Sequence, residues 1–214
     1  MLMKRLTIIG TKEFAAQIVY YASLTKDHCF VGFFDDIAPV GSVVNGYPVL
    51  GRVDDAERLY KEGVFDCIFI GIGYTRFDLR QYYYESLKGM VPFANLIMPD
   101  TYVHPKAKLG EGNFIGVGTT IDFGTIIHDN VFIHGHTYIA HENELHSHSY
   151  IAGRCNTAGC CTIGQRVFIG ICACVADHIS ICDDAWVGLG CIVAKNIKEP
   201  GKYMTPAAKL YKIE

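Results

Sequence analysis

With one exception, every sixth residue from Val103 to Val193 is aliphatic. The run begins Val103, Leu109, Ile115, Ile121 and Ile127 and ends Ile181, Val187 and Val193; Thr157 is the exception. Neither an α-helix nor a flat strand has a period of six, so a register held this long demands a fold that repeats every six residues.

The slots between the aliphatics are patterned too. The position after each aliphatic is often small, as at Gly110, Gly116, Ala140, Ala152, Ala158, Gly164, Gly170 and Ala176. The fifth slot is small or hydroxylic, as at Thr119, Thr125, Thr137, Ser149, Cys155, Cys161 and Cys191. First and fifth slots lie two apart across the junction, share one strand face, and both point inward. Slots three and four carry turn residues such as Gly112, Gly118, Gly124, Asp129–Asn130 and Asp183–Asp184. Each hexad is therefore a short strand and a corner. Three hexads close one triangular coil, and coils stack about 4.8 Å apart. Cys155, Cys161 and Cys191 become inward small residues, and Cys160 and Cys172 fall at corners.

The preceding residues read differently. "KRLTIIG" (4–10) is a buried strand ending at Gly10, and "TKEFAAQIVYYASL" has helical spacing, with Phe14, Ile18, Val19 and Ala22 on one face. "CFVGFFDD" is a strand ending in Asp35 and Asp36, "DDAERLYKEG" a helix, "FDCIFIGIG" a strand, "TRFDLRQYYYESLKG" a helix and "PFANLIM" a last strand before the repeat. Alternating β and α elements imply a small parallel sheet, whose ligands bind beyond the carboxyl ends of the strands. Gly10, Asp35, Asp36, Gly71 and Gly73 all fall there, although "GTKEFA" lacks the G-x-G-x-x-G phosphate fingerprint. The chain divides into a Rossmann-like domain over 1–98 and a β-helix with a C-terminal tail over 99–214.

Composition removes several classes. The net charge of −3 and the lack of basic runs speak against nucleic acid. "MLMKRLTIIG" is too short an apolar run for a signal peptide or membrane span. The 9 cysteines include no C-x-x-C and nothing signals secretion, so reduced thiols in a cytoplasmic protein are expected.

A Rossmann-like unit followed by hexapeptide repeats resembles the bacterial nucleotide-sugar N-acetyltransferases and the sialic acid O-acetyltransferases grouped with them. "GFFDD", "NGYPVLG", "YIAHE", "IAGRCNTAG" and "TPAAK" carry the resemblance. It implies a left-handed parallel β-helix, a homotrimer, acetyl-CoA as co-substrate in the groove between neighbouring helices, and a nucleotide-linked amino sugar on the N-terminal domain. It implies that His141 is the general base and Glu142 its orienter, and that the Gly159 N–H is donor to the thioester oxygen. Gly153, Ala158, Gly170 and Ala176 would line the acyl-CoA path, and Gly10, Lys12, Asp35, Asp36, Gly73 and His134 the sugar-nucleotide site. The product would feed surface-polysaccharide or glycoprotein synthesis. The chain departs from the family pattern at "GTKEFA", at His134, at Tyr150 and at "PAAK".

"YIAHENELHSHSY" concentrates His141, His146 and His148 in one stretch. His128, His136, His146 and His148 are expected as surface residues, His128 and His146 stacking one coil apart, while His178 beside Asp177 is a second His–acid pair. A metal is not expected. The gamma-class carbonic anhydrases share this β-helix, and two of their zinc ligands lie 36 residues apart in one slot; no two histidines here have that spacing. Two alternatives to N-acetylation stand: O-acetylation of a sugar hydroxyl by the same histidine, and a non-catalytic β-helix subunit of a larger assembly.

Overall fold

A computed structural model describes residues 3–206. The last residues of "TPAAK", from Ala207 on, lie outside it. The N-terminal unit runs β1 (Lys4–Ile9), α1 (Glu13–Leu24), β2 (His28–Phe34), β3 (Val43–Val44), β4 (Tyr47–Gly51), α2 (Ala56–Lys61), β5 (Cys67–Ile70) and α3 (Phe77–Leu87). The sheet order is β3-β4-β2-β1-β5, parallel except for the β3–β4 pair. β1 and β5 are apolar and fully buried at their centres because helices and the second unit cover both faces of the sheet.

The strand expected over 92–98 is shorter and belongs to the other unit. Leu96–Ile97 (β6) pairs in parallel with Phe114–Ile115, while only an isolated bridge from Phe93 to Ile68 reaches the N-terminal sheet. Asn95 turns the chain from one unit to the other: its side chain accepts the Asn113 N–H and donates to the Gly110 carbonyl.

From Leu96 onward, two- and three-residue strands build three parallel sheets. The register is 18 residues per coil, as in Thr120↔Tyr138 and Tyr138↔Asn156. The first face starts at Tyr102–Val103, the second at Lys108–Leu109, and the third at Leu96–Ile97. Ile121, Ile127, Ile133, Ile139, Leu145, Ile151, Ile163 and Ile169 fill the interior as expected. Thr119, Thr125, Thr137, Ser149, Cys155 and Cys161 are buried with them. Thr157 lies inside as well, as its place in the aliphatic column requires. Corner residues in the fourth slot adopt the left-handed conformation even without glycine, including Asn130, His136, Glu142, His148, Arg154 and Cys160. The unsatisfied corner is offset by backbone bonds one coil apart, such as Glu142 N–H to the Phe123 carbonyl at 2.7 Å.

The two units share a core. Phe114, Phe132, Tyr150, Phe168 and Trp186 form a ladder on the outside of the third face, one per coil. Neighbouring rings are stacked with centroids 4.0–5.8 Å apart, and each such pair is worth about 0.5–1.5 kcal/mol beyond its buried area. Phe14 and Tyr21 of α1, Phe69 of β5 and Tyr74 cover the ladder from the N-terminal side.

Candidate active site

Two places carry chemistry. The first is a cleft of about 820 Å³ at the carboxyl ends of β1, β2 and β5, lined by Gly10, Thr11, Lys12, Asp35, Asp36, Asn45, Gly73, Arg76 and Tyr83 among others. Gly10, at φ 101°, turns the chain from β1 toward α1 where an L side chain is strained. Lys12 stands at the N-cap position of α1 without a side-chain capping bond, and the N–H groups and dipole there favour an anion.

The two aspartates at the end of β2 are both engaged. Asp35 accepts the Thr11 hydroxyl at 2.7 Å and the N–H groups of Ile37 and Ala38 at 2.8 and 3.0 Å. Burial raises its carboxyl, but the bonds from Ala38, Ile37 and Thr11 outweigh burial and hold it below the ordinary value. Asp36 accepts the Val53 N–H at 3.0 Å and the Tyr83 hydroxyl at 2.8 Å. These carboxylates shape the cleft floor as well as facing it. Thr11, Asn45, Arg76 and Tyr83 were not foreseen, because the strand-end rule names the ends of strands and not the loop and helix residues that fold over them.

The second place is the corner between the first and second faces. His141 and Glu142 occupy slots three and four there, where strand alternation breaks and adjacent side chains can meet. His141 Nδ1 lies 3.2 Å from Glu142 Oε2, and both side chains are more than half exposed. Gly159, one coil on, lies directly under the imidazole: a Cβ there would come within 2.5 Å of Cε1 and Nε2 of His141. A side chain at 159 would push the ring out of this position. The Gly159 N–H has no acceptor among the described residues.

The remaining acyl-CoA candidates divide between two edges. Ala158 and Ala176 lie on the first face beside the His141 corner, whereas Gly153 and Gly170 lie where the third face turns into the first. His134, seven residues before His141, follows the third face and so lies off the corner that carries His141 of its own chain. It packs against Phe114, Tyr150 and the cleft residue Phe14. Burial, and then the charge of Arg80, pull its imidazole down to about 4, and Nε2 has no partner among the described residues.

His148 departs from expectation. It is 1% exposed, not a surface residue. It sits at the corner that the N-terminal unit covers, edge-on to Tyr84 and 3.0 Å from the Asn130 amide. Arg80 of α3 is fully buried beside it, donating to the Asn130 carbonyl at 2.7 Å and lying 4.4 Å from the centre of the Phe132 ring. Burial brings this guanidinium down to about 9. The only sequence signal for the seam was the aromatic residue in slot six every eighteen residues. His128 and His146 stack at 4.9 Å and 6°, as expected. His178 is largely exposed and 3.9 Å from Asp177, a looser pair than His141–Glu142.

Fold and sites together define a class: a Rossmann-like unit with an open strand-end cleft, docked on a hexapeptide-repeat β-helix that carries a His–Glu pair on one edge. Comparison with known proteins agrees. Residues 5–87 match the PglD N-terminal domain family. Over 65 residues, 30% of the chain, it is 39% identical to the UDP-3-O-acylglucosamine N-acyltransferase of Bordetella avium (strain 197N) and 35% identical to that of Herminiimonas arsenicoxydans. The chain spans less than a fifth of these curated relatives, 18% and 19% of their length. Among solved structures, a variant of perosamine N-acetyltransferase from Caulobacter crescentus, in complex with CoA and GDP-perosamine, superposes with a TM-score of 0.86 at 23% identity over 99% of both chains. The acetyltransferase domain of PglB from Neisseria gonorrhoeae FA1090, in complex with acetyl coenzyme A, gives 0.84 at 23% identity, covering 98% of this chain and 100% of that one. The resemblance read from sequence is thus borne out in fold, the left-handed β-helix included.

Proposed function

We propose that the chain is an acetyl-CoA-dependent N-acetyltransferase acting on the 4-amino group of a nucleotide-linked deoxyamino sugar. The observation that carries this reading is the His141–Glu142 pair with Gly159 against its imidazole, on the same chain as a strand-end cleft. The solved relatives support it, since they hold CoA and GDP-perosamine, or acetyl coenzyme A.

In this mechanism the sugar amine attacks the thioester carbonyl carbon while His141 Nε2 takes a proton from the nitrogen. Glu142 accepts Nδ1–H, fixes the tautomer and supports the imidazolium. A positioned general base contributes about 10²–10⁴-fold. The free Gly159 N–H meets the developing oxyanion, a contribution of about 3–4 kcal/mol. The tetrahedral intermediate collapses with loss of the CoA thiolate, which takes the proton from His141. No acyl-enzyme forms. In the cleft, Lys12 and the start of α1 hold the diphosphate. The acetyl-CoA path includes Ala158, Gly159 and Ala176 on one edge and Gly153 and Gly170 on the next.

The cleft and the pair do not face each other within one chain. The N-terminal unit covers the third face, and His141 lies at the opposite vertex of the triangle, between the other two faces. A substrate in the cleft of one chain therefore meets His141 of another, which supports a homotrimer with three shared sites. Exposed Tyr102, Tyr138, Val117, Ile171, Leu189 and Ile192 along the first face and its edge are available for such contacts.

The test is acetyl transfer from acetyl-CoA to a panel of UDP-, dTDP- and GDP-linked 4-amino sugars, with free sugars as controls. Thiol release and N-acetyl product should appear with a nucleotide-linked amine and be absent with free sugars. Acetylation of a free sugar hydroxyl would replace this reading with O-acetylation.

A further inference from the structure

We infer that the corner formed by His141, Glu142 and Cys160 also binds a thiophilic divalent cation of the zinc class, which inhibits the enzyme. The inhibitory effect rests on the acetyl-transfer reading above; the binding does not. Cys160 sits one coil beyond Glu142 in the same slot, with Sγ 3.8 Å from Glu142 Oε2. His141 Nδ1 is 3.2 Å from that same oxygen, and the three ligand atoms lie within 4.8 Å of one another.

Zinc geometry fits these spacings. Bonds of about 2.0–2.1 Å to nitrogen, 2.3 Å to sulfur and 2.0–2.2 Å to oxygen in a tetrahedron put nitrogen and oxygen about 3.4 Å apart and sulfur and oxygen about 3.6 Å apart. Both spacings to the carboxylate oxygen agree to within a few tenths of an ångström, and side-chain rotation of these exposed groups brings nitrogen and sulfur, within 4.8 Å of each other, onto the same ion. The backbone beneath is fixed. Glu142 and Cys160 are both left-handed corner residues, and the Cys160 N–H donates to the His141 carbonyl at 3.0 Å. One thiol, one imidazole and one carboxylate are a donor set that suits zinc, leaving the fourth position to water.

The other candidate cluster is poorer. His128, Glu144 and His146 also lie close, but they offer no thiol. Their imidazoles are face to face at 6°, so the ring lone pairs lie in separate, nearly parallel planes and do not meet at one point.

Zinc on Nδ1 leaves Nε2 bearing its hydrogen, so the imidazole no longer accepts a proton, and Glu142 is withdrawn from it. The cation is thus a competitor of the reaction and not its cofactor. Binding expels the thiol proton, so it tightens as pH rises. The groups facing the thiol are Glu142, His141, Asp177 and, on the next coil in the same slot, His178.

The experiment titrates cobalt(II), a zinc surrogate with a visible spectrum, into the full-length, metal-free protein. The expected result is a thiolate-to-cobalt charge-transfer band that saturates at one ion per chain. It should be lost in Cys160→Ser, weakened in His141→Asn, and retained when the exposed Cys172 and Cys174 are both changed to serine. In the same preparations, zinc should inhibit product formation, and Cys160→Ser should raise the inhibitory concentration by more than about tenfold, the loss that follows removal of a mere hydrogen-bond partner of a metal ligand. No thiolate band, or a band indifferent to Cys160→Ser, overturns the inference. Absence of acetyl transfer with any sugar sinks the function instead, and the cobalt titration still decides the site.

Discussion

His141 and Glu142 are neighbours in sequence, and on a regular strand their side chains would point to opposite faces. At a β-helix corner they meet at 3.2 Å. If His141 accepts the amine proton, His141→Ala should lower kcat by about 10²-fold or more with little change in KM, because the lost interaction exists only in the transition state. Glu142→Ala, which removes only the orienting carboxylate, should fall between that variant and wild type. His146→Ala should stay within a few-fold of wild type, since His146 stacks on His128 away from the pair. Steady-state kinetics of the three variants checks the order. A substrate amine that arrives already deprotonated would leave His141→Asn nearly active, with a pH–rate profile that follows the amine; that outcome removes the base and keeps the transfer. Lys12 is the corresponding residue in the cleft. Lys12→Ala should raise the KM for the sugar nucleotide and leave that for acetyl-CoA unchanged, and equal effects on both would argue against a diphosphate there.

At the scale of elements, the β-helix was legible in the sequence because its period is enforced at every turn. Each hexad must place one aliphatic residue inside, so the register from Val103 to Val193 survives without knowledge of anything the helix touches. The seam between the units was not legible. His148 occupies a corner slot like His136, and only the docking of α3 makes one buried and the other exposed. Arg80 lies on a helix whose apolar face does not announce a buried guanidinium. The His141–Glu142 pair was legible as a candidate only through its family resemblance, because slot periodicity says that a corner exists and not that it reacts. The seam has a measurable consequence. His134 and His148 are both held down to about 4, by burial first and then by the charge of Arg80. Unfolding restores an ordinary imidazole near 6.5. Below that value the unfolded chain binds more protons than the folded one, so stability is complete above about pH 6.5 and falls as the pH drops toward 4. Melting temperatures should decline over that window, and His148→Gln should decline less steeply than wild type, whatever its stability at neutral pH. A parallel decline in the two proteins would contradict a neutral, buried His148.

At the scale of the whole molecule, the cleft lies over one face of the β-helix and the His–Glu pair at the opposite edge. Light scattering should therefore find a trimer, and a fully active monomer would contradict the shared site. The most direct test of acetyl transfer at that site uses two crippled chains. Lys12→Glu disables the cleft and leaves the corner intact; His141→Ala does the reverse. Each alone should have little activity with a nucleotide-linked 4-amino sugar and acetyl-CoA. Co-expressed with different tags and purified as hybrids, they should recover activity if the intact cleft of one chain faces the intact His141 of the other. Hybrids as inactive as either parent would mean that one chain supplies both halves, and the account would be wrong.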